Sequence, residues 1–195
     1  MDQPPTRSSE PPRPSGHVDP SGVYETVQHY VGDLVYGAND GILTTFAVVA
    51  GVTGGSLSAT AVIIVGAANL LADGLSMGVG NYLSIRARES ALERQGRPEE
   101  EARPARHGMA TFLAFVSAGS VPLAPYLVPG IGDRFPLAAA LAFGALFGVG
   151  AARSAVTASR WWISGLEMLG LGTLVAAAAY ATGAWMARFV EGGAL

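Results

Sequence analysis

The sequence predicts an all-α fold, a polytopic membrane protein with five transmembrane helices. Half of its 195 residues are apolar and only 14% are charged, a balance typical of helical membrane proteins. It also contains five apolar stretches long enough to cross a bilayer, which takes about 20 residues at about 1.5 Å of rise each. The predicted spans are about 31–53, 58–84, 108–128, 135–156 and 162–189. Together with a short lead-in they form a five-helix transmembrane domain at 23–190.

Residues 1–22 are rich in proline and polar side chains and have no apolar run. This composition predicts a disordered cytosolic tail rather than a signal peptide. His17 in this tail is interpreted as a stray histidine, with a loose metal-collecting role as the alternative. Residues 23–30 are expected to form a short interfacial helix, with Tyr24 and Tyr30 at headgroup level.

The first span carries two carboxylates, Asp33 and Asp40. A carboxylate near the bilayer centre costs at least ~2.5–3.5 kcal/mol on insertion scales, so these residues indicate a function. At helical spacing they share one face with small or polar residues, which predicts a polar path along the helix. The remaining members of that face are Gly37, Thr44, Ala47 and Gly51.

The second span carries Asn69, Asp73 and Met77 at intervals of four residues, followed by Asn81. The short turn at 54–58 makes the two helices antiparallel, so Asn69 and Asp73 fall at the depth of Asp40. Asp33 and Met77 both fall roughly 10 Å nearer one membrane face. Carboxylates, an amide and a thioether at matched depths favour a divalent transition metal over Mg²⁺ or Ca²⁺. The alternative for Met77 is apolar packing.

Two motifs, GANDGI at 37–42 and SMGVGNYL at 76–83, together with the five-span layout, resemble the vacuolar iron transporter family. The resemblance implies a five-helix homodimer that exchanges ferrous iron, and in many members manganese, for protons. The family's first-helix aspartate corresponds to Asp40 and its second-helix methionine to Met77. Some members carry a glutamate where this chain has Asn69, and Asp73 is the candidate to compensate. Which group carries the coupling proton stays open.

The segment at 86–107 is charged and holds two prolines. Many members of the resembled family insert a large helical metal-binding domain here, but about twenty residues leave no room for one. Glu89 and Glu93 lie four apart on a predicted helical extension. One interpretation is that the segment is a solvated, salt-bridged loop, and this interpretation also applies to the three glutamates at 99–101. The other is an antechamber in which Glu89 and Glu93 feed the path.

The third span contains Pro122 and Pro125, which are expected to kink it. The fourth span is rich in alanine and glycine, which favours close helix packing. Its glycines include Gly144, Gly148 and Gly150.

The fifth span begins with an interfacial tryptophan pair at 161–162. Glu167 and Met168 follow just inside it, at the depth of Asp33 and Met77. Glu167 therefore either joins the entrance to the metal site or is simply hydrated or paired with an arginine.

Arginine placement predicts the orientation, because cytoplasmic loops carry an excess of positive charge. The tail, the segment at 86–107 and the turn at 157–160 share one side of the five spans. That side holds Arg7, Arg13, Arg86, Arg88, Arg94, Arg97, Arg103, Arg106, Arg153 and Arg160, and the other only Arg134 and Arg188. The N-terminus is therefore placed in the cytosol and the C-terminus outside. All twelve basic residues are arginine, which favours a bacterial source and hence the inner membrane.

Several function classes are excluded. A net charge of −3 gives no support for a nucleic-acid partner, and the absence of cysteine rules out a thiolate site. The sequence at 74–78 matches the G-x-S-x-G nucleophile elbow, but Ser76 lies in a continuous helical pattern rather than a strand-to-helix turn. No histidine falls in a predicted span, because the three are His17, His29 and His107. The chain is therefore not expected to be an enzyme.

Two functions of different class remain. The first is a divalent metal exporter that moves Fe²⁺ or Mn²⁺ out of the cytosol in exchange for protons. Its partners are the metal ions, protons, membrane lipid and a second copy of the chain, with no permanently bound cofactor. The second is a non-transporting membrane scaffold or metal sensor, in which the polar stripe pairs helices.

Overall fold

A computed structural model describes residues 20–154 and 160–192, and all regular structure within these ranges is helical. His17 and almost all of the predicted tail lie outside the described residues, as do positions 155–156 of the predicted fourth span. The helices are α1 Val23–Gly54, α2 Ala59–Arg94, α3 Pro104–Gly119, α4 Ala124–Leu127, α5 Arg134–Arg153 and α6 Trp161–Glu191, with a 3₁₀ turn at Val121–Leu123.

Five helical segments of the described chain are long and apolar enough to cross a membrane. Four of them are α1, α2, α5 and α6, and the fifth, Pro104–Leu127, joins α3, the 3₁₀ turn and α4. The predicted all-α fold with five spans is therefore confirmed. The helical residues predicted at 23–30 are continuous with the first span, so α1 begins at Val23, and the predicted extension that carries Glu89 and Glu93 continues α2 to Arg94.

Helix α1 lies at the centre of the bundle and packs against α2, α3, α5 and α6. Glycine permits this close approach. A Cβ atom at Gly37 would lie 2.5 Å from the carbonyl oxygen of Thr111, and one at Gly41 would meet the backbone of Phe115. At the C-terminal end of α1, Gly54 makes the same kind of backbone contact with Tyr180 on α6. Small residues thus let α1 contact α3 and α6 backbone to backbone.

The end of α2 turns sharply into a short connection, loop 95–103, which leads directly to α3. Gly96 adopts a positive φ of 66°, which an L side chain tolerates poorly. The N–H of Arg97 donates to the carbonyl of Leu92 at 3.0 Å, closing the end of the helix. Loop 95–103 therefore lies at the same end of the bundle as the start of α1 and the start of α3.

The third span is interrupted. Helix α3 ends at Gly119, and the chain passes through the 3₁₀ turn before α4. Pro122 and Pro125 are both buried at this break. Because proline has no N–H and its ring clashes with the carbonyl four residues earlier, it kinks or breaks an α-helix. The predicted kink is thus a break near Ser120.

The expectation of glycine-mediated packing along the fourth span is correct only in part. Gly150 faces α6, where a Cβ atom would lie 2.5 Å from the carbonyl oxygen of Ser164. Gly144 and Gly148 have no neighbour within 4 Å of such an atom. The buried face of α5 follows Ala138, Ala142, Leu146 and Gly150 at intervals of four, so Gly144 and Gly148 lie on another face.

Candidate metal-binding path

Asp40, Asn69 and Asp73 form a polar group near the middle of α1 and α2. Asp40 is partly buried, and Asp73 lies close enough for its charge to act on Asp40 across the helix interface. Asn69 Nδ2 donates to Asp73 Oδ2 at 2.8 Å, which orients the Asp73 carboxylate. This group, which we call the mid-span group, combines two carboxylates with an amide. Oxygen atoms of this kind bind divalent cations.

Met77 lies one turn beyond Asp73 and is partly buried. Its side chain packs against the apolar core of the bundle. The thioether is therefore held by apolar neighbours on the same helix as the mid-span group. This position is compatible with a packing role and with a soft ligand reached by a rotamer change.

Two further polar side-chain atoms of α1, on Asn39 and Thr45, are buried. Asn39 Oδ1 and Thr45 Oγ1 have no hydrogen-bond partner among the described residues. Asn39 lines a cavity of about 360 Å³ between α1, Arg153 and Met168. Buried polar atoms are rarely left unpaired, so Asn39 is an additional candidate for contact with water or an ion. The sequence gives no separate signal for Asn39, because the charged Asp40 beside it is the residue that stands out in an apolar span.

Asp33 lies nearer the loop 95–103 end and joins three helices. Its Oδ1 accepts from Asn81 Nδ2 on α2 at 2.6 Å, and its Oδ2 lies 2.5 Å from His107 Nδ1 on α3. Asn81 Nδ2 also donates to Thr111 Oγ1 at 2.8 Å. The Asp33 carboxylate is therefore held by an amide and an imidazole and stands between the helix ends and the mid-span group.

His29 and His107 meet Glu101 at the same end of the bundle. Glu101 Oε2 lies 2.9 Å from His107 Nε2 and 3.2 Å from His29 Nε2. One ligand atom from each of the three residues falls within 4.8 Å of the other two, a spacing suited to a metal ion. The ring of Tyr30 covers this cluster, with its centroid 4.7 Å from that of His107. We call His29, Glu101 and His107 the histidine cluster.

The histidine cluster was missed because the sequence placed both histidines outside the spans. In the structure both lie in helices that extend beyond the predicted spans, His29 in the segment Val23–Gly54 and His107 in Pro104–Leu127. Both helices begin several residues before their apolar stretches, which brings the two imidazoles together. The spacing of four residues between His29 and Asp33 could have indicated the site, because it puts both side chains on one helix face.

Glu89 and Glu93 lie on the last turns of α2, beside a charged cavity of about 500 Å³. Glu89 is buried, and its carboxylate accepts from the N–H groups of Glu100 at 3.3 Å and Glu101 at 2.9 Å. Glu89 therefore holds the backbone of loop 95–103. Glu93 is exposed and lines the cavity.

Glu167 is exposed near the start of α6, and its carboxylate lies 3.1 Å from Arg153 Nη2 on α5. The structure thus shows the arginine pairing, one of the alternatives that the sequence left open. The partner arginine neutralises the carboxylate, which weakens its attraction for a cation at this position.

Comparison with known proteins decides the family. The sequence model of the VIT family matches residues 31–103 and 90–184, which together make up most of the chain. The chain belongs to the vacuolar iron transporter family. Members of this family are transporters and not enzymes, so the prediction that this chain is not an enzyme is confirmed.

Individual relatives match a shorter part of the sequence. A "Vacuolar iron transporter" of Toxoplasma gondii is 47% identical over 75 residues, 38% of this chain and 25% of that protein. "Vacuolar iron transporter 1" of Arabidopsis thaliana is 34% identical over 76 residues, 39% of this chain and 30% of that protein. A "Vacuolar iron transporter" of Plasmodium falciparum is 39% identical over 67 residues, 34% of this chain and 24% of that protein. The matched stretches span less than a third of each relative's length.

Proposed function

We propose that this chain carries a divalent transition metal, Fe²⁺ or Mn²⁺, across a membrane in exchange for protons. The observation that carries the proposal is the mid-span group, in which the charge of Asp73 on one candidate membrane span acts on Asp40 on another. Two carboxylates whose charges act on each other favour binding of a cation or a proton. Family membership supports metal as the cation.

Exchange follows from the chemistry of these carboxylates. A carboxylate oxygen uses the same lone pairs for a proton and for a metal ion, so binding one releases the other. Asn69 Nδ2 donates to Asp73 Oδ2 and so orients that carboxylate. In this scheme Asp40 is the central ligand and Met77 adds a sulfur that favours the softer divalent ions.

The charge distribution supports an orientation in the membrane, on which the proposed export is based. Arginines are concentrated at the loop 95–103 end of the bundle, which we therefore place in the cytosol. Asp33 lies between that end and the mid-span group, so it lines the route by which a cytosolic ion arrives. The chain is proposed to act as a homodimer in a bacterial inner membrane and to export metal.

Metal flux in sealed vesicles tests this proposal. The full chain is reconstituted in proteoliposomes, and uptake of Fe²⁺, Mn²⁺, Co²⁺ and Zn²⁺ is measured with and without a pH gradient. We expect saturable Fe²⁺ or Mn²⁺ flux that a gradient of protons accelerates, compared with protein-free liposomes. Flux equal to that of protein-free liposomes would contradict transport and favour the scaffold or sensor function instead.

A further inference from the structure

We propose that the histidine cluster is a second metal site, separate from the mid-span group, which binds Fe²⁺ or a similar divalent transition metal. It lies at the loop 95–103 end and draws one ligand each from α1, loop 95–103 and α3. Metal binding at this site does not depend on the proposed transport. Its role in loading the path rests on the proposed function.

The distances within the cluster suit a shared ion. Ligand atoms about 2.1 Å from one ion, at octahedral or tetrahedral angles, stand about 3.0–3.4 Å apart. Glu101 Oε2 lies 2.9 Å from His107 Nε2 and 3.2 Å from His29 Nε2, and one ligand atom of each residue lies within 4.8 Å of the other two, so the three residues can reach one ion by local side-chain adjustment. Both imidazoles present the same nitrogen, Nε2, to the same carboxylate oxygen.

The second nitrogen of His107 supports the same conclusion. Nδ1 lies 2.5 Å from Asp33 Oδ2, and the Asp33 carboxylate is itself fixed by Asn81. Histidine ligands of metals usually donate their other ring N–H to a carboxylate, which sets the ring orientation and makes the ligating nitrogen more basic. The Asp33–His107 pair has this arrangement, with Nε2 directed at the cluster.

The donor set indicates the class of metal. Two imidazole nitrogens and one carboxylate suit Fe²⁺, Zn²⁺ and related ions, whereas Mg²⁺ and Ca²⁺ prefer oxygen alone. The side chains of His29, Glu101 and His107 retain 25%, 13% and 11% of their exposure, so water can complete the coordination. A site with this access is suited to exchange of its ion.

Asp33 connects the two sites. It contacts His107 of the cluster and lies one helix turn beyond His29 on α1. On α1 the mid-span residue Asp40 follows seven positions later, on the same side of the helix. An ion leaving the histidine cluster therefore meets the Asp33 carboxylate before it reaches the mid-span group. Loop 95–103 thus supplies Glu101 as a ligand without an added domain.

Spectroscopy of bound Co²⁺ tests the site without requiring transport. The full chain is purified in detergent in a His17→Gln background, which removes the tail histidine. Visible absorption and titration then give the Co²⁺ coordination and affinity. We expect the double variant His29→Gln, His107→Gln to lose the nitrogen-ligated spectrum and bind at least about tenfold more weakly. Asp40→Asn should keep that spectrum, and Asp133→Asn, an exposed aspartate at the opposite end of the bundle, serves as a control.

An unchanged Co²⁺ spectrum in a folded double variant would overturn the proposal and leave the cluster as an ion-paired contact between helices. If the double variant does not fold, electron spin-echo spectroscopy of Cu²⁺ bound to the His17→Gln protein decides instead. Nitrogen modulation from two coordinated imidazoles supports the site, and its absence overturns it. Binding without flux in proteoliposomes would contradict the proposed function alone, whereas flux without imidazole ligation would contradict this site alone.

Discussion

Asp33 Oδ2 and His107 Nδ1 lie 2.5 Å apart, although 74 positions separate the two residues in sequence. The contact ties the start of α3 to the first half of α1, and Asn81 adds α2 through the other oxygen of the same carboxylate. One aspartate thus fixes the geometry where three helices meet. It also stands at the boundary between the histidine cluster and the mid-span group.

Asp33→Asn should therefore weaken metal binding at the histidine cluster. The amide keeps the size of the side chain but removes the negatively charged oxygen that lies against His107 Nδ1 and orients the ring. Loss of an outer partner of this kind typically lowers metal affinity about 10- to 100-fold. Co²⁺ titration of the detergent-solubilised His17→Gln protein measures the effect. Asp133→Asn, an exposed aspartate before α5, is the control, and equal affinities for the two variants would refute the positioning role.

Met77→Leu should change selectivity among transported ions. Leucine keeps the volume and apolarity of Met77, at a packing cost usually below ~1.5 kcal/mol, so folding should survive. Sulfur ligation favours Fe²⁺ and Co²⁺ over Mn²⁺, which prefers oxygen. We expect Co²⁺ to compete less well for Fe²⁺ uptake in the variant, with Mn²⁺ competition less affected. Met186→Leu, at an exposed position on α6, is the control. Identical competition in wild type and Met77→Leu would assign Met77 to packing.

Glu89→Gln should lower thermal stability by loosening loop 95–103. The Glu89 carboxylate is buried, and each of its two oxygens accepts from one backbone N–H group. Glutamine has only one acceptor oxygen, so one of these two N–H groups loses its partner. A buried donor left unpaired costs about 1–3 kcal/mol. Thermal unfolding in detergent measures the loss, with Glu93→Gln as the exposed control. A melting temperature equal to that of wild type would mean that the loop is held by other contacts.

Gly41→Ala should separate α1 from α3. A Cβ atom at this position meets the backbone of Phe115, which cannot move aside as a flexible side chain can. We expect a loss of about 1–3 kcal/mol, seen as a lower melting temperature. Gly80→Ala on α2 is the matched control, because nothing lies within 4 Å of the added atom there. If both variants melt alike, the close approach of α1 and α3 contributes little to stability.

The sequence predicted the five spans because each is an apolar stretch of sufficient length, a property local to the chain. It also predicted that Asp40 and Asp73 occur at one depth, since a short turn forces α1 and α2 to run antiparallel. The histidine cluster could not be predicted in this way. It depends on helices that begin before their apolar stretches and on a contact between α1 and loop 95–103. Gly144 and Gly148 show the same limit, because composition does not reveal which face of α5 is buried.

Simultaneous recording of metal and proton movement tests the central claim most directly. Fe²⁺ uptake and internal pH are followed in the same proteoliposomes for wild type, Asp40→Asn and the control Asp133→Asn. We predict that Fe²⁺ and protons move in opposite directions in wild type and Asp133→Asn, and that both fluxes stop in Asp40→Asn. Wild-type Fe²⁺ and proton flux through a folded Asp40→Asn protein would contradict the account.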